Sequence, residues 1–494
     1  MGLELFVRLK RLAADRGDEA AVRVIGDGVA SGAGMTWRSL HDAVGRVVRK
    51  LDGDRAFPAG GSVMLRSGNR PEMAAVFLGV IASGRRLLPV DPALTGHEVS
   101  KLAERSGAGV LIEDSSSALA GLDEGIVRRE IVGLCAGEDA GPWEDRGGSG
   151  WLLLQSSGTT GGPKMVRRDG RSLDAVARNV AEAAGIRADD RVLAAVPLSH
   201  SYGIENGLLA PLWAGACMLH VAVVPGQVGR GFDPRWAVDG EATVLPGVPA
   251  IFEMIDRLEL GRGGLRLAYS AGATLPTELA ERFEARLGLK LGQLYGSTEI
   301  GSVTFGNEPD TVGWPMAGVE VRILDPDRPN PGNPLPVGTA GHVAVKAPSM
   351  FAGYVQDSAE ARASIVDGYF LTGDLGRLDD QGRLVITGRL KLLIDVGGVK
   401  VNPLEVEQAI VQYPGVGACV VLPDPASPTV SRVKAFLEMQ ADAPPLDEMA
   451  LRRFLRQRLA GHKIPRTFEC RAALPKSPTG KILRQKLMQP QVTA

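Results

Sequence analysis

Residues 155–164, Gln-Ser-Ser-Gly-Thr-Thr-Gly-Gly-Pro-Lys, carry three glycines, four hydroxyls and a lysine in ten positions, directly after the apolar run 151–154. A glycine-rich turn between a buried strand and a helix aims several backbone N–H groups at one point, where the helix N-terminus adds positive potential. Phosphate is the group such a turn suits. Gly and Ser also fill ordinary turns, and the tandem threonines with Lys164 set this one apart. The Walker A spacing fails: counted from Gly158, the second glycine falls on Pro163, and Met165 replaces the hydroxyl after the lysine. A P-loop NTPase or kinase is therefore disfavoured.

Further polar groups stand in glycine-containing contexts: Glu299 in YGSTE, Asp374 and Arg389 in TGD…GR, and Lys481 in SPTGKIL. Alone, each has a plain reading as an exposed carboxylate, an Asx turn or a solvated lysine. The six histidines show no HExxH or Cys/His cluster, so a zinc site is not expected. Cys135, Cys217, Cys419 and Cys470 lie far apart and read as reduced, partly buried side chains.

The elements that must hold these groups show through the hydrophobic pattern. Short β-branched runs at 61–65, 109–113, 151–155, 190–196, 242–248, 265–272 and 289–296 alternate with helical stretches, the signature of parallel sheets with crossover helices. Leu173, Val176, Ala177, Val180, Ala181 and Ala184 form one helical stripe. Thr274, Pro276 and Glu278 have the order of cap, early proline and early acid. Near residue 320 a proline- and glycine-rich stretch between two strands announces a smaller β unit. From about 392 a helix (403–412), two strands, a helix (446–460) and a polar end form an α+β tail.

A chain of 494 residues implies two or three domains. Net charge is −1, and no basic block marks a nucleic-acid partner. The first residues show no cleavable apolar segment, no myristoylation signal and no membrane insertion, so a cytoplasmic protein is expected.

SSGTTGGPK resembles the phosphate loop of the adenylate-forming superfamily, which holds acyl-CoA synthetases, adenylation domains and beetle luciferases. The likeness runs along nearly the whole chain, in order, through PLSHSYG (197–203), YSAGATLP (269–276), QLYGSTE (293–299), GYFLTGDLGRLDDQGRLVITGR (368–389), GGVKVNPLEVE (397–407) and PKSPTGKILRQKL (475–487). It implies an α/β fold: a large N-terminal part of two stacked αβ sheets plus a small β unit (1–388), a hinge (389–391) and a small mobile α+β C-terminal domain (392–494).

It also implies roles. Ser156, Ser157, Gly158, Thr159, Thr160, Gly161 and Lys164 would wrap the ATP phosphates, and Thr159 with Glu299 would hold Mg2+. Tyr295 would stack on adenine beside Gly272 and Ala273, with Gly296, Ser297 and Thr298 also at the ATP site. Asp374 would accept the ribose hydroxyls near Arg389. Lys481 would bridge the substrate carboxylate and the α-phosphate, a task for a compact mobile charge. Lys391 would be the hinge about which the tail turns, bringing the loop at 395–401, with Gly397 and Gly398, to the thiol acceptor. Asp395 stands where some relatives carry a lysine used in that second step.

For the acyl group, the resemblance places His200, Ser201, Tyr202 and Leu294 at the pocket, with His200 and Tyr202 as gate or packed aromatics. Ser201 replaces the aspartate that holds an amino-acid ammonium, leaving Glu205 as a weaker partner. Leu294, where long-chain enzymes carry glycine, narrows the tunnel, and Met165 is shared with aryl-acid relatives. These features imply an ATP-dependent acid:CoA ligase for an aryl or short-to-medium acyl acid, using ATP, Mg2+ and CoA. The alternative is a stand-alone adenylating enzyme that loads an aryl, acyl or amino acid onto the phosphopantetheine of a separate carrier protein.

Overall fold

The computed structural model describes residues 3–26, 34–68, 70–114, 119–137, 141–146, 150–156, 164–221, 233–238, 241–356, 362–396, 399–424, 432–476 and 482–488. Its internal contacts divide the chain into two units: Met1–Glu320 with Val345–Phe370, and Val321–Ala344 with Leu371–Ala494.

The first unit holds two sheets. The nine-stranded one runs Trp314–Pro315, Gly301–Gly306, Leu291–Ser297, Leu267–Ser270, Val244–Gly247, Arg191–Ala194, Cys217–Val221, Ala20–Ile25 and Gly34–Thr36. Its strands from Leu291–Ser297 through Ala20–Ile25 pair in parallel, which buries both faces and explains the near-continuous apolar runs. Leu193, Leu219, Leu245, Ala268 and Leu291 share a core with Phe252 and Phe283, whose rings meet edge to face at 5.5 Å. Truncating either ring to Ala would cost about 3–5 kcal/mol.

The seven-stranded sheet runs Gly353–Tyr354, Lys164–Asp169, Trp151–Ser156, Arg86–Pro89, Ser62–Arg66, Ala108–Glu113 and Val127–Glu130. Here the structure corrects the expected strand, loop and helix around residues 156–164. Lys164–Asp169 is itself a strand, antiparallel to Trp151–Ser156, with Ser156 opposite Lys164. The helix Gly170–Ala183 begins only afterwards, capped by Asp169, which accepts the Ser172 N–H at 2.9 Å. No helix N-terminus directly follows residues 156–164, so the expected contribution of one to that turn is withdrawn. The predicted helical stripe from Leu173 to Ala184 is buried. Met165 is also fully buried, among Met64, Leu88, Leu111 and Leu153. Its bulk fills the core.

Thr274 does not cap the next helix, which spans Thr277–Leu287 with Pro276 at its N-cap. Tyr369–Leu378, which runs from the first unit into the second, and Leu384–Arg389 form an antiparallel hairpin. The tail pairs Val416–Pro423 antiparallel with Val433–Met439, and Thr467–Arg471 adds a parallel third strand where a polar end was expected. Helices Pro403–Val411 and Glu448–Arg456 complete it around Val406, Ile410, Leu451 and Leu455.

Candidate active site

Three strand ends of the first unit carry several of the groups singled out in the sequence. Ser156 is buried at the end of its strand and Lys164 is half-buried at the start of the next. Residues 157–161, with Thr159 and Thr160, lie outside the described residues. Gly272 and Ala273 are exposed just beyond Leu267–Ser270, and Gly272 has φ +81°, a conformation that favours glycine. Tyr295 is half-buried at a bulge in the ladder between Leu291–Ser297 and Gly301–Gly306. Next to it, a Cβ on Gly296 would stand 2.2 Å from the Gly301 carbonyl, so only glycine fits. Ser297 and Thr298 are half-buried, and the Ser297 hydroxyl has no hydrogen-bond partner among the described residues.

Glu299 follows, half-buried. Tyr354 was not singled out in the sequence, and it ties this carboxylate to the phosphate-loop strand. Its strand pairs with Lys164–Asp169, Tyr354 opposite Val166. The Phe351 N–H donates to the Glu299 carbonyl at 2.7 Å. The Tyr354 hydroxyl donates to Glu299 Oε1 at 3.2 Å, and Lys164 Nζ lies 5.2 Å from the ring centroid. Burial and the adjacent Glu299 carboxylate push the phenol well above its ordinary pKa, so it is a donor at neutral pH. The available sequence signal was a Gly-Tyr pair after an apolar residue, too common to single out.

His200 precedes the short helix Ser201–Ile204 and is exposed. Desolvation lowers the pKa of its imidazole, against the opposing pull of Asp91. Tyr202 is part of a packed cluster: its hydroxyl reaches the Tyr269 carbonyl at 3.5 Å, the Tyr269 hydroxyl donates to Asn206 Oδ1 at 2.9 Å, and Asn206 Nδ2 donates to the Tyr202 carbonyl at 3.0 Å. Leu294 is 4 % exposed and stands opposite Phe305, whose ring meets Tyr269 at 5.5 Å. Glu205 is committed elsewhere. Its Oε1 accepts from Arg168 at 2.9 Å and Ser201 at 2.8 Å, and its Oε2 from the Ser302 N–H at 2.9 Å and hydroxyl at 2.7 Å. Every lone-pair direction of that carboxylate is taken, so the weak expectation that it holds a substrate ammonium is withdrawn.

In the second unit, Asp374 and Arg389 stand directly opposite in the hairpin, with Arg389 Nε 2.6 Å from Asp374 Oδ1. The turn beside them is fixed by His342, whose Nε2 accepts the Gly373 N–H at 2.9 Å. That acceptor role needs a neutral ring. Burial lowers its pKa accordingly, against the pull of Asp374. Lys391 lies in the turn Leu390–Leu392 and Asp395 in the strand Ile394–Val396. Gly397, Gly398 and Lys481 lie outside the described residues. Among those described, no group of three His, Cys, Asp or Glu side chains forms a metal centre, and no helix is long and apolar enough to cross a membrane.

The first unit is thus a largely parallel α/β scaffold that carries Lys164, Glu299 and the small residues Gly272 and Ala273 at its strand ends, an architecture in keeping with a nucleotide-using enzyme. Sequence comparison makes the assignment specific: the chain belongs to the AMP-binding enzyme family, matching its main domain over residues 9–355 and its C-terminal domain over 405–481. It is similar to a sulfoacetate–CoA ligase of Cupriavidus necator, 34 % identical over 349 residues, covering 68 % of this chain and 66 % of that protein. It is also similar to a feruloyl-CoA synthase of an Amycolatopsis species, 31 % identical over 92 % of this chain and 93 % of that one. ATP-bound MatB from Rhodopseudomonas palustris superposes with a TM-score of 0.87 over 99 % of this chain and 98 % of that one, at 26 % identity. The chain is an ATP-dependent, AMP-forming carboxylic acid:CoA ligase.

Proposed function

We propose that the protein activates an aryl or short-to-medium acyl acid as its adenylate and passes the acyl group to free CoA in the cytoplasm. The observation that carries the size limit is Leu294, buried opposite Phe305 with Tyr269 against the same ring. A branched side chain already packed there leaves a shorter space than glycine would. The aryl side of the reading is supported by likeness to a feruloyl-CoA synthase.

In the first half-reaction a carboxylate oxygen attacks the α-phosphorus and pyrophosphate leaves. Two anions meet, so the residues must supply cations and donors where charge develops. Lys164 and the hydroxyls of the loop, Thr159 and Thr160, hold the phosphates. Tyr295 and the flat Gly272–Ala273 edge take the adenine, and the unpartnered Ser297 hydroxyl offers a donor or acceptor to the nucleotide. Asp374 takes the ribose, which requires Arg389 to share or leave that carboxylate. Lys481 follows the anion into the transition state. One carboxylate amid phosphate oxygens is a donor set that suits Mg2+; Glu299 with Thr159 would hold it, and when bound it supplies neutralising charge on the phosphates.

In the second half-reaction the CoA thiol attacks the acyl carbonyl and AMP leaves. Lys391 serves as the hinge within 389–391, and Gly397 and Gly398 let the pantetheine approach closely. A carrier protein as acceptor is the lesser reading, because the relatives named above are CoA ligases. Acid-dependent ATP–pyrophosphate exchange across aryl, short, medium and long acids tests the substrate class. Preference for a long fatty acid would refute it.

A further inference from the structure

Arg168 and Glu205 are 0 % and 3 % exposed, and they form an ion pair between elements 37 residues apart in sequence. A buried pair of charges is poor value as a stabiliser, because desolvation offsets most of the attraction. What distinguishes this one is where its bonds go. Arg168 lies on the strand that begins with Lys164, four residues away, and its Nε donates to Ser172 Oγ at 3.1 Å. Glu205 accepts from Ser201, the residue after His200, at 2.8 Å. It accepts twice from Ser302, three residues after Glu299, at 2.9 and 2.7 Å. Gly301 has φ +70°, and a Cβ there would stand 3.0 Å from Arg168 Nη2, so the chain also makes room for the guanidinium.

We propose that Arg168 and Glu205 are positioning residues of the adenylation site, a charged clamp that sets the phosphate-loop strand, the His200 segment and the Glu299 strand at fixed distances from one another. Neither touches substrate; they act through the Lys164, His200 and Glu299 segments they tie together. A π-helical turn begins at Glu205 and runs through Leu209. Such turns are locally unfavourable and recur at functional sites. Here the turn opens at the residue that meets all four donors. The clamp rests on the ligase reading above.

The test is steady-state ATP–pyrophosphate exchange on the full chain, with Tm measured alongside, for the wild type, Glu205→Gln, the double variant Arg168→Met with Glu205→Leu, and Ser302→Ala. Glu205→Gln leaves the Arg168 charge buried without its counter-ion, and is expected to lower both Tm and kcat. The double variant removes both charges, a change that commonly keeps stability. It is expected to hold its Tm yet turn over about tenfold more slowly, with KM for ATP within about twofold, because misplaced groups cost rate more than ground-state binding. Wild-type kcat in that folded double variant would overturn the clamp. If the double variant does not fold, Ser302→Ala decides: it keeps the pair and removes one hydroxyl, and about a threefold loss of kcat at unchanged Tm is expected, whereas no loss refutes the proposal. Exchange by the wild type is measured first. Its absence with every acid sinks the ligase reading and the clamp together, while wild-type exchange with unimpaired variants sinks the clamp alone.

Discussion

The Tyr354 hydroxyl donates to Glu299 Oε1 at 3.2 Å while the same ring lies 5.2 Å from Lys164 Nζ. One aromatic side chain therefore connects Lys164, at the end of the glycine-rich stretch, with the carboxylate of YGSTE. If Glu299 takes Mg2+, the phenol orients it beforehand.

Tyr354→Phe keeps the ring and loses that orientation. The apparent Mg2+ requirement for exchange should rise about three- to tenfold, consistent with the loss of one hydrogen bond worth about 0.5–1.5 kcal/mol, while kcat at saturating Mg2+ changes little. An unchanged Mg2+ titration would separate Tyr354 from the metal. Tyr354→Ala also removes the surface beneath Lys164, and KM for ATP should rise with it.

Lys481→Ala should abolish adenylation, by about a thousandfold or more, while ATP affinity measured by calorimetry stays within about threefold. In the proposed mechanism the lysine acts on charge that develops in the transition state rather than on bound ATP. Normal adenylation by this variant would remove Lys481 from the mechanism.

Leu294→Gly should move acceptance toward longer acids. Because Leu294 is buried, the change also opens a cavity and should cost about 3 kcal/mol or more, seen as a lower Tm. A destabilised variant with an unchanged substrate profile would mean that the acyl group lies elsewhere.

His220 is fully buried at the end of Cys217–Val221, its ring nitrogens without a hydrogen-bond partner of good geometry among the described residues. Burial pushes its pKa down to about 4, with only the Arg70 backbone opposing. The folded value lies below the unfolded one, near 6.5, so the stability held by the neutral ring is complete above pH 6.5 and is lost as pH falls toward 4. The loss is roughly 3 kcal/mol. Tm of the wild type should fall through that window and that of His220→Leu less steeply; parallel curves would contradict this.

The parallel strands were legible because burial on both faces writes itself as runs of Leu, Val and Ile, as in 151–155 and 242–248. Lys164–Asp169 was not, because KMVRRD reads as exposed: three of its residues are cations, and only the distant Glu205 makes the burial of Arg168 intelligible. Thr467–Arg471 was lost for a similar reason, since it carries Glu469, which pairs with Lys434 at 2.6 Å, and an exposed Cys470. Within the site, groups in glycine-marked motifs could be read from the chain. Tyr354 and the four bonds to Glu205 could not, for they exist only once elements far apart in sequence are brought together.

The central claim is adenylate chemistry on a carboxylic acid of limited size, and ATP–pyrophosphate exchange with CoA omitted tests it most directly. The account predicts label exchange that requires an acid, is strongest with aryl or short-to-medium acyl acids, and is absent with α-amino acids, whose ammonium finds Glu205 already occupied. Exchange supported best by an α-amino acid, or ATP cleaved to ADP and phosphate without exchange, would contradict it.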